Sequence, residues 1–201
     1  MAIYCEKRGF TLIELLVVIS IISLLTVVLL PSMNKARQIS KRTACRALLS
    51  GVGRAIDIYK GQYNSLPWAR ELSTITSSQT DLLYLENVPI SKALEEFADE
   101  KQFKCPADKG PIGDTDESKE ERASFGNYES YFERERTSYD YFQLFQMEST
   151  APEIYKNMLS HGDSKILVMN DFEPFHGERL KSGSRNGLYG DGHVSDTVTG
   201  D

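Results

Sequence analysis

One long apolar run near the start of the chain constrains its folding more than any other feature. Residues 10–30 are all apolar or small, apart from Glu14. As a helix this run would be about 31 Å long, close to the thickness of the hydrocarbon core of a bilayer. The polar sequence from Pro31 to Lys35 follows it and contains no small-residue cleavage site of the secretory type. The sequence therefore predicts a membrane helix that stays attached.

Glu14 is the unusual residue in this run. A carboxylate inside a membrane helix costs a few kcal/mol on insertion scales, and such residues are rare and usually functional. The sequence therefore indicates a role for Glu14 that does not concern insertion.

A second helical pattern resumes beyond Pro31. Apolar residues recur there at three- and four-residue steps, which predicts one buried stripe. The predicted stripe consists of Cys45, Leu48, Val52, Ile56 and Tyr59. No turn cluster interrupts the pattern, so Pro31 is expected to kink the helix without ending it. The sequence from Asn64 to Pro67 is expected to end it.

Charge is distributed unevenly along the chain. Residues 31–62 carry a net charge of +6 and residues 63–201 carry −12, within a total of −6. A basic helix joined to an acidic head predicts attraction between neighbouring copies. A basic helix can also contact anionic lipid. No aromatic residues interleave with the basic ones and the acidic head would repel phosphate, so a nucleic-acid partner is not expected.

The remainder of the chain shows short, mixed signals. Residues 91–100 are typical of a short surface helix, and residues 138–148 fit either a helix or a strand. Residues 165–169 form a β-prone run. Residues 186–194, Asn-Gly-Leu-Tyr-Gly-Asp-Gly-His-Val, predict two strands around a tight turn. We therefore expect an α+β fold, in which a small antiparallel sheet packs on the apolar stripe of the long helix.

The polar residues give no enzyme signature. The three histidines, His161, His176 and His193, lie near Asp163, Asp171 and Asp191. No GxSxG, HExxH or phosphate-binding loop accompanies them, and Asp and Gly in this part of the chain suit turns. The three cysteines form no CxxC or Cys/His pair with zinc spacing. The sequence thus predicts neither an enzyme nor a structural zinc site.

The start of the apolar run has a family resemblance. Gly9-Phe10-Thr11-Leu12-Ile13-Glu14, after Lys7-Arg8, resembles the prepilin cleavage motif of type IV pilins and type II secretion pseudopilins. The resemblance implies that a membrane peptidase cuts after Gly9 and methylates Phe10. It also matches Glu14 and Pro31 to family positions, and it implies a leader at 1–9, a transmembrane assembly helix at 10–30, an amphipathic continuation at 31–62 and an extracytoplasmic head at 63–201.

The likeness to a bacterial prepilin-like subfamily continues along the chain. It rests on Ala44-Cys45, Leu66-Pro67, Cys105-Pro106-Ala107-Asp108 and the Asp-Gly-His hairpin of residues 186–194. That subfamily places nine residues between a histidine and the Asp-Gly pair, whereas fourteen residues separate His176 from Asp191 here. The hairpin therefore matches and the histidine spacing does not.

The resemblance implies a structural subunit of a type II secretion pseudopilus or type IV pilus-like filament. Expected partners are further copies or other pseudopilins, the prepilin peptidase, the secretion or pilus assembly machinery and membrane lipid. The chain would cross the bacterial inner membrane once, with a cytoplasmic N-terminus and a periplasmic head. The alternative is a membrane-anchored extracytoplasmic binding protein that captures a ligand, a metal or a secreted substrate.

This resemblance explains Glu14. Cleavage after Gly9 would leave a cationic amine on Phe10, and Glu14 lies one helical turn from it. In a filament the carboxylate can meet the amine of a neighbouring subunit. A close pair at an effective dielectric constant near 20 is attractive by about 4 kcal/mol, which offsets much of the burial cost.

Two further sites are expected in the head. Cys45 and Cys105 would both lie outside the cytoplasm, where they could form a disulfide or remain as two buried thiols. Asp191 and Asp196 lie at or near the C-terminal hairpin, where some pseudopilins hold calcium. A tight turn accounts fully for the Asp-Gly pair and is the preferred explanation, because the spacing matches no known calcium loop. No other cofactor is expected.

Overall fold

The computed structural model describes most of the chain in seven pieces. The described residues are 12–69, 88–111, 123, 125–142, 147–171, 174–176 and 184–197. The chain divides into two compact units, with the boundary between Ile39 and Ser40. We call Leu12–Ile39 the N-terminal segment and the described residues from Ser40 onward the head.

One helix, α1, runs from Leu12 to Tyr63. Pro31 lies inside it, so the helix continues past this residue as expected. Proline has no N–H to donate, and the neighbouring Ser32 hydroxyl donates to the Leu29 carbonyl at 2.8 Å. At its end, Asn64 adopts a left-handed φ of 50° and its N–H donates to the Lys60 carbonyl at 2.9 Å. This is a common way to close a helix.

Every side chain of the N-terminal segment is exposed. Its hydroxyl groups are satisfied within the helix, because Ser20, Ser23 and Thr26 each donate to the carbonyl four residues earlier at 2.7 Å. By length and composition, α1 can cross a membrane, and no residue of its most apolar stretch is buried. The polar groups of this stretch are thus internally bonded, while its apolar side chains face outward.

The head buries one face of the second half of α1. Cys45, Leu49 and Val52 are fully buried, and Ala55 and Ile56 are almost so. The predicted stripe was wrong at one position: Leu48 is only half-buried and Leu49 faces the core. Steps of four, three and four residues from Cys45 to Ile56 keep the buried face aligned, and these steps include Leu49 in place of Leu48.

The strands of the described residues form one antiparallel sheet in the order β1-β2-β3-β4. They are β1 (Tyr139–Tyr141), β2 (Leu167–Asp171), β3 (Asn186–Tyr189) and β4 (Val194–Asp196). The register places Tyr139 opposite Asp171 and Asn186 opposite Asp196. The predicted α+β class, a long helix with a small antiparallel sheet, is therefore confirmed.

Short helices cover the rest of the described head. They are α2 (Ile90–Ala93), a 3₁₀ turn (Glu100–Phe103), α3 (Tyr131–Glu135), α4 (Met147–Thr150) and α5 (Pro152–Ser160). The predicted surface helix at 91–100 was wrong in extent. Leu94 is fully buried, and the Asp99 carboxylate accepts a hydrogen bond from the Lys101 N–H, which starts the 3₁₀ turn.

The remaining predictions of secondary structure agree with the structure to different extents. The ambiguous stretch 138–148 contains both β1 and the start of α4, with residues 143–146 outside the described chain. The β-prone run at 165–169 forms β2, two residues further on. The hairpin at 186–194 is confirmed, and Gly192, with a φ of 85°, donates to the Tyr189 carbonyl at 2.8 Å in its turn.

Two tyrosine hydroxyls hold the chain that follows α1 against the head. The Tyr155 hydroxyl accepts from the Leu66 N–H at 3.2 Å, and the Tyr141 hydroxyl donates to the Pro67 carbonyl at 3.0 Å. Burial raises the pKa of Tyr141 well above its ordinary value, so its hydroxyl stays protonated. The predicted end of the helix near Asn64 is thus also a packed junction.

Candidate functional site

The predicted processing and assembly residues lie at the start of α1. Gly9 and Phe10 lie outside the described residues. Glu14 lies in the first turn of α1 with an exposed side chain, and it is the sole acidic residue of the sequence from Leu12 to Ile39. Exposed leucine and isoleucine side chains lie on either side of it in sequence.

The basic residues of the head half of α1 contact the C-terminal hairpin. Arg42 and Arg46, one helical turn apart, both form ion pairs with the Asp196 carboxylate. Arg46 Nε also donates to the Asn186 side-chain oxygen at 2.9 Å. These side chains are 28–39% exposed, so each ion pair contributes at most about 1 kcal/mol. Asp196, a predicted calcium ligand, thus has two cationic partners.

A buried cluster lies beneath this ion-pair network. It consists of Cys45, Cys105, Asp171 and His176, and the donor atoms of these four residues all lie within 4.8 Å of one another. Both cysteines and Asp171 are fully buried, and the His176 side chain is 1% exposed. The four residues come from α1, the loop after the 3₁₀ turn, the end of β2 and the turn after β2.

Several pairs of atoms in this buried cluster lie close together. His176 Nε2 lies 3.4 Å from Asp171 Oδ2 and 3.5 Å from Cys105 Sγ. Cys45 Sγ lies 3.6 Å from Asp171 Oδ1 and 3.3 Å from the Tyr139 hydroxyl. The two sulfurs are bonded to each other as a disulfide, with 5.2 Å between the Cα atoms, a separation typical of such bonds.

Asn186 orients the carboxylate of the cluster. Its backbone N–H and its side-chain amide both donate to Asp171 Oδ2, at 2.7 and 2.9 Å. Because Arg46 in turn donates to the Asn186 oxygen, a chain of hydrogen bonds connects the surface of α1 to Asp171. Oδ1 of Asp171 is left facing Cys45.

Burial shifts the two titratable groups of the cluster in opposite directions. It raises the pKa of Asp171 to about 7, against the lowering effect of the hydrogen bonds from Asn186. Burial, together with the charges of Arg42, Arg46 and Lys41, lowers the pKa of His176 to about 4. At neutral pH the imidazole is therefore neutral, and its contact with Asp171 joins a neutral ring and a partly protonated carboxyl group.

The geometry does not suit a Cys-His-Asp relay. In such a relay, the two ring nitrogens of the histidine face different partners, the nucleophile and the carboxylate. Here the same nitrogen, Nε2, faces both Cys105 and Asp171. The donor atoms point to a common centre, which is the arrangement of a metal site or of a packed disulfide.

The loop that carries Cys105 is held by Asp108. The Asp108 carboxylate accepts from the N–H groups of Tyr131 and Phe132, at 3.1 and 3.0 Å, and from the Ser138 hydroxyl at 2.6 Å. Ser138 also accepts from the Cys105 N–H at 3.1 Å. The Cys-Pro-Ala-Asp stretch therefore combines a cysteine with the carboxylate that fixes its loop.

The end of the hairpin carries the other predicted metal ligand. Asp191 is exposed and accepts from the His193 N–H at 3.2 Å and contacts the His193 ring. His193 stacks on Tyr189 with ring centroids 4.4 Å apart. Asp191 and Asp196 do not belong to the converging cluster found among the described residues. Calcium at these two residues stays a prediction.

Sequence reasoning missed Asp171, His176 and Asn186 as partners of the cysteines. One signal could have identified Asp171 as a buried residue. It comes just after the apolar run Ile166–Met169, with Asn170 between them, and buried strands often end at such a position. The histidine gave a weaker signal, because its partners lie 71 and 5 residues away in sequence. No short-range spacing connects either cysteine to the other or to Asp171 and His176.

Comparisons with known proteins identify the start of the chain. The profile of the prokaryotic N-terminal methylation motif matches residues 6–30. The competence protein ComGC of Halalkalibacterium halodurans is 36% identical over 62 residues, which is 31% of this chain and 61% of that protein. The type IV wide pilus major component PilA4 of Thermus thermophilus is 41% identical over 60 residues, 30% of this chain and 46% of that protein.

A third relative is similar in extent. The ComG operon protein 3 homolog of Bacillus licheniformis is 37% identical over 55 residues, 27% of this chain and 57% of that protein. The chain thus spans about half to three-fifths of the length of these curated relatives. No solved structure matches the chain significantly.

Proposed function

Because this chain is type IV pilin-like and carries the prokaryotic N-terminal methylation motif, we propose that it is a structural subunit of a pilus-like filament. The proposal rests on one observation above all. The N-terminal segment exposes an apolar surface that carries one carboxylate, Glu14, in its first turn. Such a surface is stable in lipid or against the same segment of other subunits.

Processing is the first step of the proposed function. A prepilin peptidase would cut after Gly9 and methylate the new amine of Phe10, while the apolar helix holds the chain in the inner membrane with its head in the periplasm. The matched motif covers both residues, at 6–30. The new amine would then lie one helical turn from Glu14.

Assembly is the second step. A carboxylate is unfavourable in lipid, and in a filament a neighbouring subunit would supply a cationic amine close to Glu14. This pairing would favour one register between adjacent helices. The machine would be a type II secretion pseudopilus or a type IV pilus-like fibre, with a prepilin peptidase, an assembly machinery and other pilin-like subunits as partners.

Intact-mass spectrometry tests the processing step. Protein extracted from membranes of peptidase-positive cells should have the mass of a chain that begins at N-methylated Phe10. Cells without the peptidase provide the control and should yield the chain that retains residues 1–9. A full-length mass in peptidase-positive cells would contradict the proposal.

The substitution Glu14→Val tests the assembly step. We expect this variant to insert at least as well as the native chain, because it loses a polar group in lipid, and to form few or no filaments. Ser20→Ala is the matched control, since its hydroxyl is bonded within the helix and its loss should leave filaments intact. Cross-linking between subunits in intact cells measures both.

The same cross-linking separates the filament from the alternative, a membrane-anchored binding protein. A binding protein would remain uncross-linked to copies of itself in native cells and would be indifferent to Glu14→Val. Normal cross-linked polymers of the valine variant would show that Glu14 does not direct assembly.

A further inference from the structure

The buried cluster contains more polar groups than a disulfide needs. A disulfide is apolar and can be covered by apolar side chains, whereas burying a carboxylate and an imidazole costs free energy unless both are well bonded. Around the Cys45–Cys105 pair, the fold instead places Asp171 at 0% and His176 at 1% side-chain exposure. Their shortest contact with each other, 3.4 Å, is longer than a good hydrogen bond.

The spacing of the donor atoms fits a tetrahedral metal ion. Zinc binds thiolate at about 2.3 Å and imidazole or carboxylate at about 2.0–2.2 Å, so the ligand atoms of a tetrahedral site lie about 3.3–3.8 Å apart. Here His176 Nε2 lies 3.5 Å from Cys105 Sγ, and the two oxygens of Asp171 face different partners: Oδ2 lies 3.4 Å from His176 Nε2 and Oδ1 lies 3.6 Å from Cys45 Sγ. With one ligand atom taken from each of the four residues, these atoms all lie within 4.8 Å of one another. The two sulfurs are closer only because they are bonded to each other.

From this convergence we propose that the head binds one zinc ion through Cys45, Cys105, Asp171 and His176 when the two cysteines are reduced. The same two sulfurs would then have two alternative states, a disulfide and a metal centre. Two thiolates, one imidazole and one carboxylate are ligands that zinc accepts in closed structural sites, and thiolates exclude calcium and magnesium.

The surroundings support a thiolate-rich site. The Ala107 N–H lies 3.5 Å from Cys105 Sγ and the Tyr139 hydroxyl lies 3.3 Å from Cys45 Sγ, and both can donate to a thiolate. Asn186 holds one oxygen of Asp171 and leaves the other directed at Cys45. Such outer hydrogen bonds orient the ligands of metal sites.

Nearby arginines can also balance the charge of the metal site. Two thiolates and a carboxylate around Zn²⁺ leave one net negative charge, which Arg42 and Arg46 can offset from the adjacent turns of α1. Both residues bond to Asn186, the direct partner of Asp171. A site of this composition in an otherwise apolar core therefore has its counter-charge within the fold.

The change between the two states is a two-electron step. A dithiol reductant supplies two electrons and two protons, breaks the bond between the two Sγ atoms and itself becomes a disulfide. Binding of Zn²⁺ then displaces a proton from each thiol. The inference is independent of filament assembly, because every residue involved lies in the head.

Cobalt titration of the full chain in detergent tests the proposal. The protein is reduced with a dithiol, freed of the reagent by gel filtration without oxygen, and titrated with Co²⁺, a spectroscopic substitute for zinc. We expect one equivalent to bind, with the visible bands of a tetrahedral site and a near-ultraviolet sulfur-to-cobalt charge-transfer band. Zn²⁺ should then displace the cobalt and bleach the spectrum.

The oxidised chain is a reference that requires no substitution. Its disulfide is verified in denaturant without reductant, where no thiol other than that of Cys5 should be labelled, and it should show no cobalt spectrum. His176→Gln should weaken metal binding by more than the roughly 10–100-fold typical of an outer-shell change. His161→Gln is the matched control, because His161 is exposed and lies outside the cluster, and should bind as the native chain does.

Three results would overturn the proposal. The first is a reduced chain that stays colourless at saturating Co²⁺, whether it is folded by circular dichroism or remains unfolded with metal present. The second is equal binding by the oxidised and reduced chains. The third is equal affinity of the His176→Gln and native proteins, which would place the metal elsewhere.

Discussion

The two parts of helix α1 share one backbone conformation and differ in what surrounds them. From Leu12 to Ile39 every side chain is exposed, whereas between Cys45 and Ile56 one face of the helix is fully buried in the head. The first part has its polar hydroxyls bonded within the helix, and the second directs its polar groups to partners on other elements. One part is thus built for contacts outside the chain and the other for contacts within it.

This difference shows that apolar content alone does not locate a core. The most apolar stretch of the helix lies in the exposed part, where Leu24 is 72% exposed, and the buried residues of the other part include a cysteine and a glycine. What distinguishes the two is periodicity. An apolar surface on all sides of a helix indicates lipid or partner helices, and a stripe indicates a core.

Leucine truncation should separate the two parts most strongly. Leu49→Ala removes a fully buried side chain and should lower the free energy of unfolding of the head by about 2–5 kcal/mol. Leu24→Ala, at an exposed position of the same helix, should change it by less than about 0.5 kcal/mol. Guanidinium unfolding in detergent, followed by near-ultraviolet circular dichroism, measures both. Equal changes would contradict the division of α1 into an exposed and a buried part.

The next largest effect concerns the two buried titratable groups of the cluster, Asp171 and His176. In the oxidised, metal-free protein, the raised pKa of Asp171, about 7, makes stability fall as pH rises from about 4 to 7. The lowered pKa of His176, about 4, makes stability fall as pH drops from about 6.5 to 4. The two contributions are opposite, so the pair holds about one proton in both folded and unfolded chains and largely cancels.

Substitution should expose each contribution separately. Relative to the native chain, His176→Gln should lose stability with rising pH between about 4 and 7, by up to about 1.4 kcal/mol per pH unit. Asp171→Asn should lose stability with falling pH between about 6.5 and 4. His161→Gln is the control and should run parallel to the native chain. Parallel curves for all three variants would mean that the two groups are not linked to folding as described.

Two glycines of α1, one in the buried part and one exposed near the end of the helix, allow a finer comparison. A Cβ at Gly53 would lie 2.8 Å from Leu188 Cδ1, whereas one at Gly61 meets nothing within 4 Å. Gly53→Ala should therefore force the packed Leu188 to move, at a cost of about 1–3 kcal/mol. Gly61→Ala should stabilise the helix by up to about 1 kcal/mol. Similar gains at both positions, in the same unfolding assay, would show that Leu188 adjusts freely.

The features that the sequence predicted correctly are those that depend on residues close together in the chain. The long helix, its passage through Pro31 and the C-terminal hairpin each depend on neighbouring residues, and each is present. The N-terminal motif is likewise a short contiguous stretch, and its profile matches there. The error of Leu48 for Leu49 is also local, since positions one residue apart differ by 100° around a helix.

The buried cluster could not be predicted in this way. Its cysteines are 60 residues apart, and Asp171 reaches them only because β2 pairs with β1 and β3 in one register. The family resemblance offered Cys45 and Cys105 as a disulfide, but ligands were sought at short spacing, so nothing indicated that Asp171 and His176 join them. Side chains that come together only through tertiary packing leave little trace in local sequence patterns.

The smallest expected effect concerns the exposed end of the hairpin, which contrasts with the buried cluster. Calcium prefers six to eight oxygen ligands, and the sequence suggests Asp191 and Asp196 as two of them. Asp196 already has Arg42 and Arg46 as partners, and Asp191 contacts His193. We therefore expect no measurable change in the Tm of the oxidised full chain, which holds the disulfide, on adding Ca²⁺ or on removing it with EGTA and EDTA.

A double substitution makes this last test decisive. Arg42→Ala with Arg46→Ala removes both cationic partners of Asp196 and leaves its carboxylate free to bind a metal ion. If the ion pairs are what occupies Asp196, calcium should raise the Tm of this variant more than that of the native chain. A native chain whose Tm falls in chelator, with the fall abolished by Asp191→Asn, would instead establish a calcium site at the hairpin and show that both carboxylates bind metal despite their present partners.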